Sequence, residues 1–235
     1  MEQNSIVVKN VTKKFDDFML DHISFTVPTG RIVGFIGENG AGKSTTINLI
    51  LDQLKLDAGE IRILGKQNHS YLHKENIGVV FDECKFHSVL NAKDIAQILS
   101  GSYKTWDMNL FEEYMKRLDV PLNKSIGQLS KGMKMKLSII CALSHRPQIL
   151  ILDEATSALD NESERIVQAS LEKLAKGRTT FTIAHRLTTI KNATKILVLT
   201  DKGIEEAGTH QELMKKKGIY FDLYKSYQEM TADME

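Results

Sequence analysis

The sequence of 235 residues contains only two cysteines, Cys84 and Cys141, which form no Cys-x-x-Cys pair and no cluster with histidine. This scarcity argues against a disulfide framework and a structural zinc site, and it favours a reducing compartment. An excess of charge of one sign is also missing, because 31 Lys and Arg residues face 30 Asp and Glu residues. Without a general basic field, we expect no nucleic-acid partner.

Long apolar runs are absent as well. The most apolar stretches, Leu137–Leu143 and Ile149–Leu152, are far shorter than the ~18–20 residues of a membrane-spanning helix. The Met1–Lys14 segment has no signal-peptide core, and the chain contains no internal repeat and no low-complexity linker. With 42% hydrophobic and 26% charged residues, the composition is that of a globular protein. We expect a soluble, cytoplasmic chain.

Strands that alternate with helices predict an α/β fold with a mostly parallel sheet. Runs of β-forming residues predict strands at Val7–Asn10, Ile23–Val27, Arg31–Ile36, Ile61–Leu64, Ile77–Phe81, Ile149–Leu152, Thr179–Ile183 and Ile196–Leu199. Helical spacing predicts helices at Thr45–Leu51, Ala92–Leu99, Leu110–Leu118, Lys131–Leu143, Glu162–Leu174 and, in the polar tail, Thr209–Tyr227. We predict one domain over residues 1–235, with a core of residues 1–88 and 145–235 and an inserted helical subdomain of residues 89–144.

A glycine-rich segment between a predicted strand and a predicted helix fits the phosphate-loop pattern G-x-x-x-x-G-K-[ST]. Backbone N–H groups in such a loop hold phosphate oxygens, and the helix that follows adds its positive amino-terminal dipole. The predicted nucleotide contacts are Gly37, Asn39, Gly40, Ala41, Gly42, Lys43, Ser44 and Thr45. Among them, Lys43 would reach the β- and γ-phosphates of ATP, and Ser44 would bind Mg²⁺. The alternative is an ordinary glycine-rich turn.

The apolar strand Ile149–Leu152 ends in two carboxylates. Asp153 is placed to hold Mg²⁺ directly or through water, and Glu154 is placed to polarise the attacking water. A strand that ends in Asp-Glu can also be a capped loop. The pairing with the phosphate loop favours the catalytic interpretation.

With these motifs, the chain resembles the ATP-binding-cassette (ABC) family over essentially its whole length. The segment Leu129-Ser-Lys-Gly-Met133 is similar to the family's signature motif. The resemblance implies that Ser130 and Gly132 contact the γ-phosphate of an ATP held by a second subunit. A plain helix N-cap is the alternative for Ser130. The family fold is a P-loop NTPase with a RecA-like sheet, an amino-terminal antiparallel β subdomain and a helical subdomain.

Three further elements follow the order of the family. The segment Ser157–Asp160 is similar to the D-loop, which implies a dimer-interface role for Asp160. His185 is similar to the switch histidine at the γ-phosphate, although a lone histidine at a strand end is more often structural. Phe15 matches the aromatic residue that stacks on adenine, with packing in the core as the alternative.

Two features depart from the family pattern. Asp82 stands where the Q-loop normally has glutamine, and a carboxylate at this position can also bind Mg²⁺; Glu83 can be a solvated charge. In addition, the chain up to about Pro147 resembles a stand-alone export ATPase subunit. From about Asp153 it resembles the ATPase half of a fused multidrug or lipid exporter. This change suggests a recombined chimera, with a natural mosaic subfamily as the alternative.

The resemblance implies an ATPase that works as a head-to-tail dimer with two ATP-Mg²⁺ and energises a membrane permease. The second subunit is another ABC ATPase domain, in a homodimer or a pseudo-dimer. The permease would be a separate chain and would hold the domain on the cytoplasmic face of the membrane. The alternatives are an engineered chimera without a transport role, a non-transport ABC ATPase that acts in DNA repair or on the ribosome, and a P-loop small-molecule kinase.

Overall fold

The computed structural model describes residues 3–153, 177–183 and 190–232. The chain forms two compact units: unit 1 contains Met1–His73 and Gly177–Glu235, and unit 2 contains Lys74–Lys176. The predicted helix Glu162–Leu174 lies outside the described residues. The predicted limits of the helical subdomain, residues 89–144, stay a prediction.

Unit 1 contains an antiparallel sheet with the strand order β2-β1-β4-β5. Its strands are β1 (Asn4–Lys14), β2 (Met19–Pro28), β4 (Ala58–Ile63) and β5 (Lys66–Gln67). Along β1, buried and solvent-facing side chains alternate only in part, because the register against β2 shifts between Val8 and Val11. These shifts bend the strand, which runs over 11 residues and is longer than the predicted Val7–Asn10.

The second group of strands in unit 1 surrounds a buried central strand. The strands are β3 (Ile32–Gly37), β8 (Thr179–Ile183), β9 (Lys195–Thr200) and β10 (Gly203–Gly208). Strand β3 pairs in parallel with both β8 and β9, and β10 pairs antiparallel with β9. Phe25 of β2 packs against Phe35 and Phe181, with ring centroids 5.5 and 5.6 Å away, and so joins the antiparallel sheet to the parallel strands. Burial explains why β3 and β9 are nearly continuous apolar runs.

The helices of unit 1 come from two parts of the sequence: one follows β3, and two follow β10. They are α1 (Lys43–Ile50), α5 (His210–Lys216) and α6 (Ile219–Ala232). The predicted helical tail, Thr209–Tyr227, is confirmed as helical, but it consists of two helices, because Lys217 ends α5 with a left-handed φ of 53°. Tyr220, fully buried, then anchors the start of α6 in the core.

Unit 2 combines a parallel strand pair with a cluster of helices. Its elements are β6 (Ile77–Val80), α2 (Ala92–Ser102), α3 (Met108–Arg117), α4 (Lys131–Ser144) and β7 (Ile149–Asp153), with a 3₁₀ turn at Ile126–Gln128. A further 3₁₀ turn, Tyr71–Asn76, spans the boundary of the two units in the sequence. Strands β6 and β7 run parallel, from the pair Ile77–Ile149 to the pair Val80–Leu152. The buried faces of the three helices form one apolar core with Val80, Leu150 and Leu152. These elements confirm an α/β fold with parallel strands, an antiparallel β sheet and helices.

Candidate functional site

The phosphate loop spans the turn from β3 to α1 in unit 1. Gly40 has φ +86° and Gly42 has φ +98°, a left-handed backbone that glycine adopts without strain. A Cβ atom added to Gly40 would meet no atom within 4 Å, so this part of the loop faces open space. A Cβ atom added to Gly42 would instead lie 2.8 Å from Phe18 Cζ. The loop therefore leaves room for a ligand at Gly40 and is closely packed at Gly42.

Lys43 is the first residue of α1, and its side chain turns back into the loop. Its Nζ atom donates hydrogen bonds of 2.9 Å to the carbonyl oxygens of Gly37 and Glu38. The residue is only 8% exposed. An ammonium group held at the centre of a glycine-rich loop provides the positive charge that phosphate oxygens need.

The remaining loop residues differ in their exposure. Ser44 and Asn39 are exposed, whereas Ala41 and Thr45 are half-buried. Sequence reasoning missed Thr46, whose buried hydroxyl donates a 2.9 Å hydrogen bond to the carbonyl oxygen of Gly42. This bond ties the first turn of α1 to the loop, and only the fold shows it because a threonine inside a helix carries no distinctive signal.

Phe15 lies in the turn between β1 and β2, next to the phosphate loop. Its side chain is 45% exposed, so it is not a core residue. Its ring centroid lies 6.1 Å from that of Phe18, the residue that packs beside Gly42. The turn thus offers an exposed aromatic ring near the loop, which fits stacking on a nucleobase.

The two aspartates of unit 2 follow neighbouring strands. Asp153 ends β7 and its Oδ1 atom is buried. Asp82 lies two residues after the end of β6 and is exposed. Glu83 is also exposed and forms an ion pair of 3.3 Å with Lys85. Because β6 and β7 are parallel and in register, the backbones at residues 82 and 153 leave the strand pair at the same edge.

Ser130 is the N-cap of α4. Its hydroxyl oxygen accepts a 3.2 Å hydrogen bond from the backbone N–H of Met133. The side chain remains exposed, and Gly132 is half-buried in the first turn of the helix. The helix-cap alternative therefore describes the structure correctly, and an exposed capping hydroxyl still has a lone pair and a proton for a ligand.

Three predicted site residues, Glu154, Asp160 and His185, lie outside the described residues. Among the residues that the structure describes, no group of three or more His, Cys, Asp or Glu side chains can hold a metal ion. The described helices also include none that is long and apolar enough to cross a membrane.

Comparison with known proteins gives consistent matches. The family model described as "ABC transporter" matches residues 20–157. An ATP-dependent lipid A-core flippase of Haemophilus influenzae (strain 86-028NP) is 35% identical over 94% of this chain and 40% of its own length. The corresponding flippase of Photobacterium profundum is 37% identical, with the same shares covered. The chain thus spans about two fifths of the length of these relatives.

A solved structure gives the same result for the fold. The structure of a bacterial Atm1-family ABC exporter with ATP bound superposes with a TM-score of 0.80 at 28% identity, over 95% of this chain and 42% of the other. One class of relative aligns along both halves of the chain, so the comparisons do not favour the suggested chimera. With its phosphate loop and the matching family model, the chain belongs to the ABC transporter family, as a nucleotide-binding ATPase domain.

Proposed function

We propose that this domain hydrolyses ATP in a head-to-tail dimer and thereby drives a membrane exporter. The observation that carries the proposal is the phosphate loop, in which two backbone carbonyls hold the Lys43 ammonium group and the backbone at Gly40 faces open space. Such a loop binds the phosphate tail of a nucleotide through backbone N–H groups and one lysine.

The residues of the site take the following roles in this proposal. Lys43 binds the β- and γ-phosphates, and Phe15 stacks on the adenine ring. Ser44, Asp153 and Asp82 would hold Mg²⁺, which, when bound, supplies positive charge that neutralises the phosphate oxygens. Glu154 accepts a proton from the attacking water, so that the hydroxide attacks the γ-phosphorus and ADP leaves.

The second subunit completes the site in the proposed dimer. Ser130 and Gly132 of one domain contact the γ-phosphate of the ATP bound to the other. His185 contacts the γ-phosphate, and Asp160 lies at the dimer interface. The exposed hydroxyl of Ser130 at the amino terminus of α4 supports this role, since a helix of 14 residues favours an anion at that end.

The transport role follows from the relatives. Both flippases are described as ATP-dependent, and the solved exporter has ATP bound. We infer that this domain acts on the cytoplasmic face of a membrane, together with a transmembrane permease. The similarity to the flippases favours export of a lipid-like amphiphile as the transport reaction that this domain would drive.

The catalytic part of the proposal is tested by Glu154→Gln. The amide keeps the size of the side chain but is a poor base, so ATP binding should persist while hydrolysis slows by roughly 10²–10⁴-fold. With hydrolysis blocked, an ATP-bound dimer should accumulate in size-exclusion chromatography. A normal rate of ATP hydrolysis in this variant would show that Glu154 is not the general base.

A further inference from the structure

Asp57 makes three contacts with the end of β1, just before Phe15. Its backbone N–H donates a 2.9 Å hydrogen bond to the carbonyl oxygen of Thr12. Its Oδ2 atom accepts a 2.7 Å hydrogen bond from the backbone N–H of Lys14. Its Oδ1 atom accepts a 3.2 Å hydrogen bond from Lys13 Nζ. One side chain therefore holds two consecutive residues on the approach to the turn that carries Phe15.

The path of β4 explains why Asp57 reaches this position. Gly59, with φ +91°, approaches β1 so closely that an added Cβ atom would lie 2.3 Å from the carbonyl oxygen of Asn10. The register of β1 against β4 shifts here, and Thr12 pairs with Ala58. This close approach places the residue before Ala58 beside Lys13 and Lys14.

The chain turns immediately after these contacts. The backbone N–H of Phe15 donates a 2.8 Å hydrogen bond to the carbonyl oxygen of Phe18, which closes the turn. Phe18 packs beside Gly42 of the phosphate loop. Lys13 Nζ lies 5.7 Å from the centroid of the Phe15 ring, within the range of a cation–π contact. A continuous set of contacts thus links Asp57 to the Phe15 ring and to the loop.

The charge of Asp57 is maintained at neutral pH. The hydrogen bonds from the Lys14 backbone N–H and from the Lys13 ammonium group hold the pKa of this carboxyl below its ordinary value. The side chain of Asp57 is 41% exposed, so its ion pair with Lys13 contributes little to overall stability. The contacts are therefore better suited to orienting a local segment than to stabilising the fold.

We propose that Asp57 is a positioning residue for nucleotide binding: it orients the Phe15 ring for stacking on the base, through Lys13 and Lys14. This inference rests on the proposed function, because it requires that Phe15 contacts the base. Asp57 itself touches no ligand in the proposal. It sets where the turn begins, and Lys13 lies within cation–π range of the Phe15 ring.

The test measures binding of two ligands to the full chain, ATP and inorganic triphosphate, with triphosphate affinity obtained by competition against a labelled ATP. Asp57→Ala should weaken ATP binding about three- to tenfold, since the stacking of the base on the Phe15 ring is partly lost. Triphosphate binding should change by less than about twofold, because the ligand has no base to stack. Asp57→Asn keeps an acceptor for the Lys14 N–H and should recover part of the ATP affinity.

A double-mutant cycle and a matched control make the result decisive. In the Phe15→Ala background, Asp57→Ala should have no further effect on ATP affinity. Glu60→Ala is the control: it removes a nearby, partly exposed carboxylate of β4 together with its ion pair to Arg62, and it leaves the contacts of Lys13 and Lys14 with Asp57 in place. Equal loss for ATP and triphosphate, additive effects with Phe15→Ala, or unchanged ATP affinity in Asp57→Ala would each overturn the inference. If Lys43→Ala also binds both ligands normally, the proposed function fails as well; if it does not, only the role of Asp57 is lost.

Discussion

Val80 and Leu152 are directly paired at the carboxyl ends of the parallel strands β6 and β7. This pairing means that the chain leaves both strands at one edge, with Asp153 next to Leu152 and Asp82 two residues beyond Val80. In parallel sheets, ligands bind outside the carboxyl ends of the strands. The departure from the family at residue 82, aspartate for glutamine, therefore falls at the end of the strand pair where a ligand is expected.

Asp82→Ala should raise the Mg²⁺ concentration needed for half-maximal ATPase activity, because one oxygen ligand is removed. Asp82→Gln should preserve most of the activity, since an amide oxygen also binds the ion. Without Mg²⁺, Asp82→Ala should bind ATP more tightly than the wild type, because a negative charge that repels the phosphates is gone. A Mg²⁺ titration of the ATPase rate on the three proteins measures the first two effects.

Glu83→Ala is the matched control for this titration, as Glu83 is the adjacent exposed carboxylate and is paired with Lys85. Its Mg²⁺ dependence should equal that of the wild type. If Asp82→Ala and Asp82→Gln also show the wild-type dependence, Asp82 is only a solvated loop residue.

Two substitutions of Ser130 distinguish its role as a helix cap from its proposed contact with phosphate. Replacing an N-cap serine by alanine costs ~1 kcal/mol, whereas glycine costs only a few tenths. Ser130→Ala should therefore lower the unfolding temperature more than Ser130→Gly does. Both should lose ATP-induced dimerisation in the Glu154→Gln background, because both lack the hydroxyl. A Ser130→Gly protein that dimerises like its parent would show that Ser130 is a cap and nothing more.

The buried position of His145 leads us to expect that the stability of unit 2 depends on pH. Its ring stacks on Tyr103 with centroids 4.2 Å apart, and its Nδ1 atom lies 3.1 Å from the carbonyl oxygen of Glu75. Burial lowers the pKa of His145 below its ordinary value of 6.5. The unfolded chain thus binds a proton more readily, so the free energy of unfolding should fall as the pH drops below about 6.5.

Chemical denaturation at several pH values between about 5 and 8 measures this dependence. His145→Gln should be less stable at neutral pH but should show a smaller decrease towards acid. The same substitution at the exposed His69 should leave the pH profile unchanged. A His145→Gln profile parallel to that of the wild type would contradict the role of this histidine.

The phosphate loop could be predicted from the sequence because its signal is local: Gly40 and Gly42, which have positive φ, and Lys43 lie within four consecutive residues. The same applies to Asp153, which ends an apolar run. Asp57 gave no signal, since its hydrogen bond to Lys14 joins residues 43 positions apart. The contact depends on the register of β1 against β4, which hydrophobic pattern alone does not specify here.

Strand β10 was not predicted for a similar reason. Glu206 is a buried glutamate in the strand, so the expected alternation of apolar and polar residues is broken. Its carboxylate accepts a 2.9 Å hydrogen bond from the backbone N–H of Tyr220 and forms a 3.2 Å ion pair with Lys216. These partners compensate the burial of the charge, and they come from α5 and α6, which only the folded chain brings close.

The central claim, that ATP binds at the phosphate loop, is tested most directly by the ATP affinity of Lys43→Ala, measured by isothermal titration calorimetry. Removing the ammonium group deletes charge-assisted hydrogen bonds of ~1.5–3 kcal/mol each, so ATP binding should weaken by at least about 100-fold. Lys66→Ala, which removes an exposed lysine from the same unit, should bind ATP like the wild type. Wild-type affinity in Lys43→Ala, with the protein folded, would contradict the account.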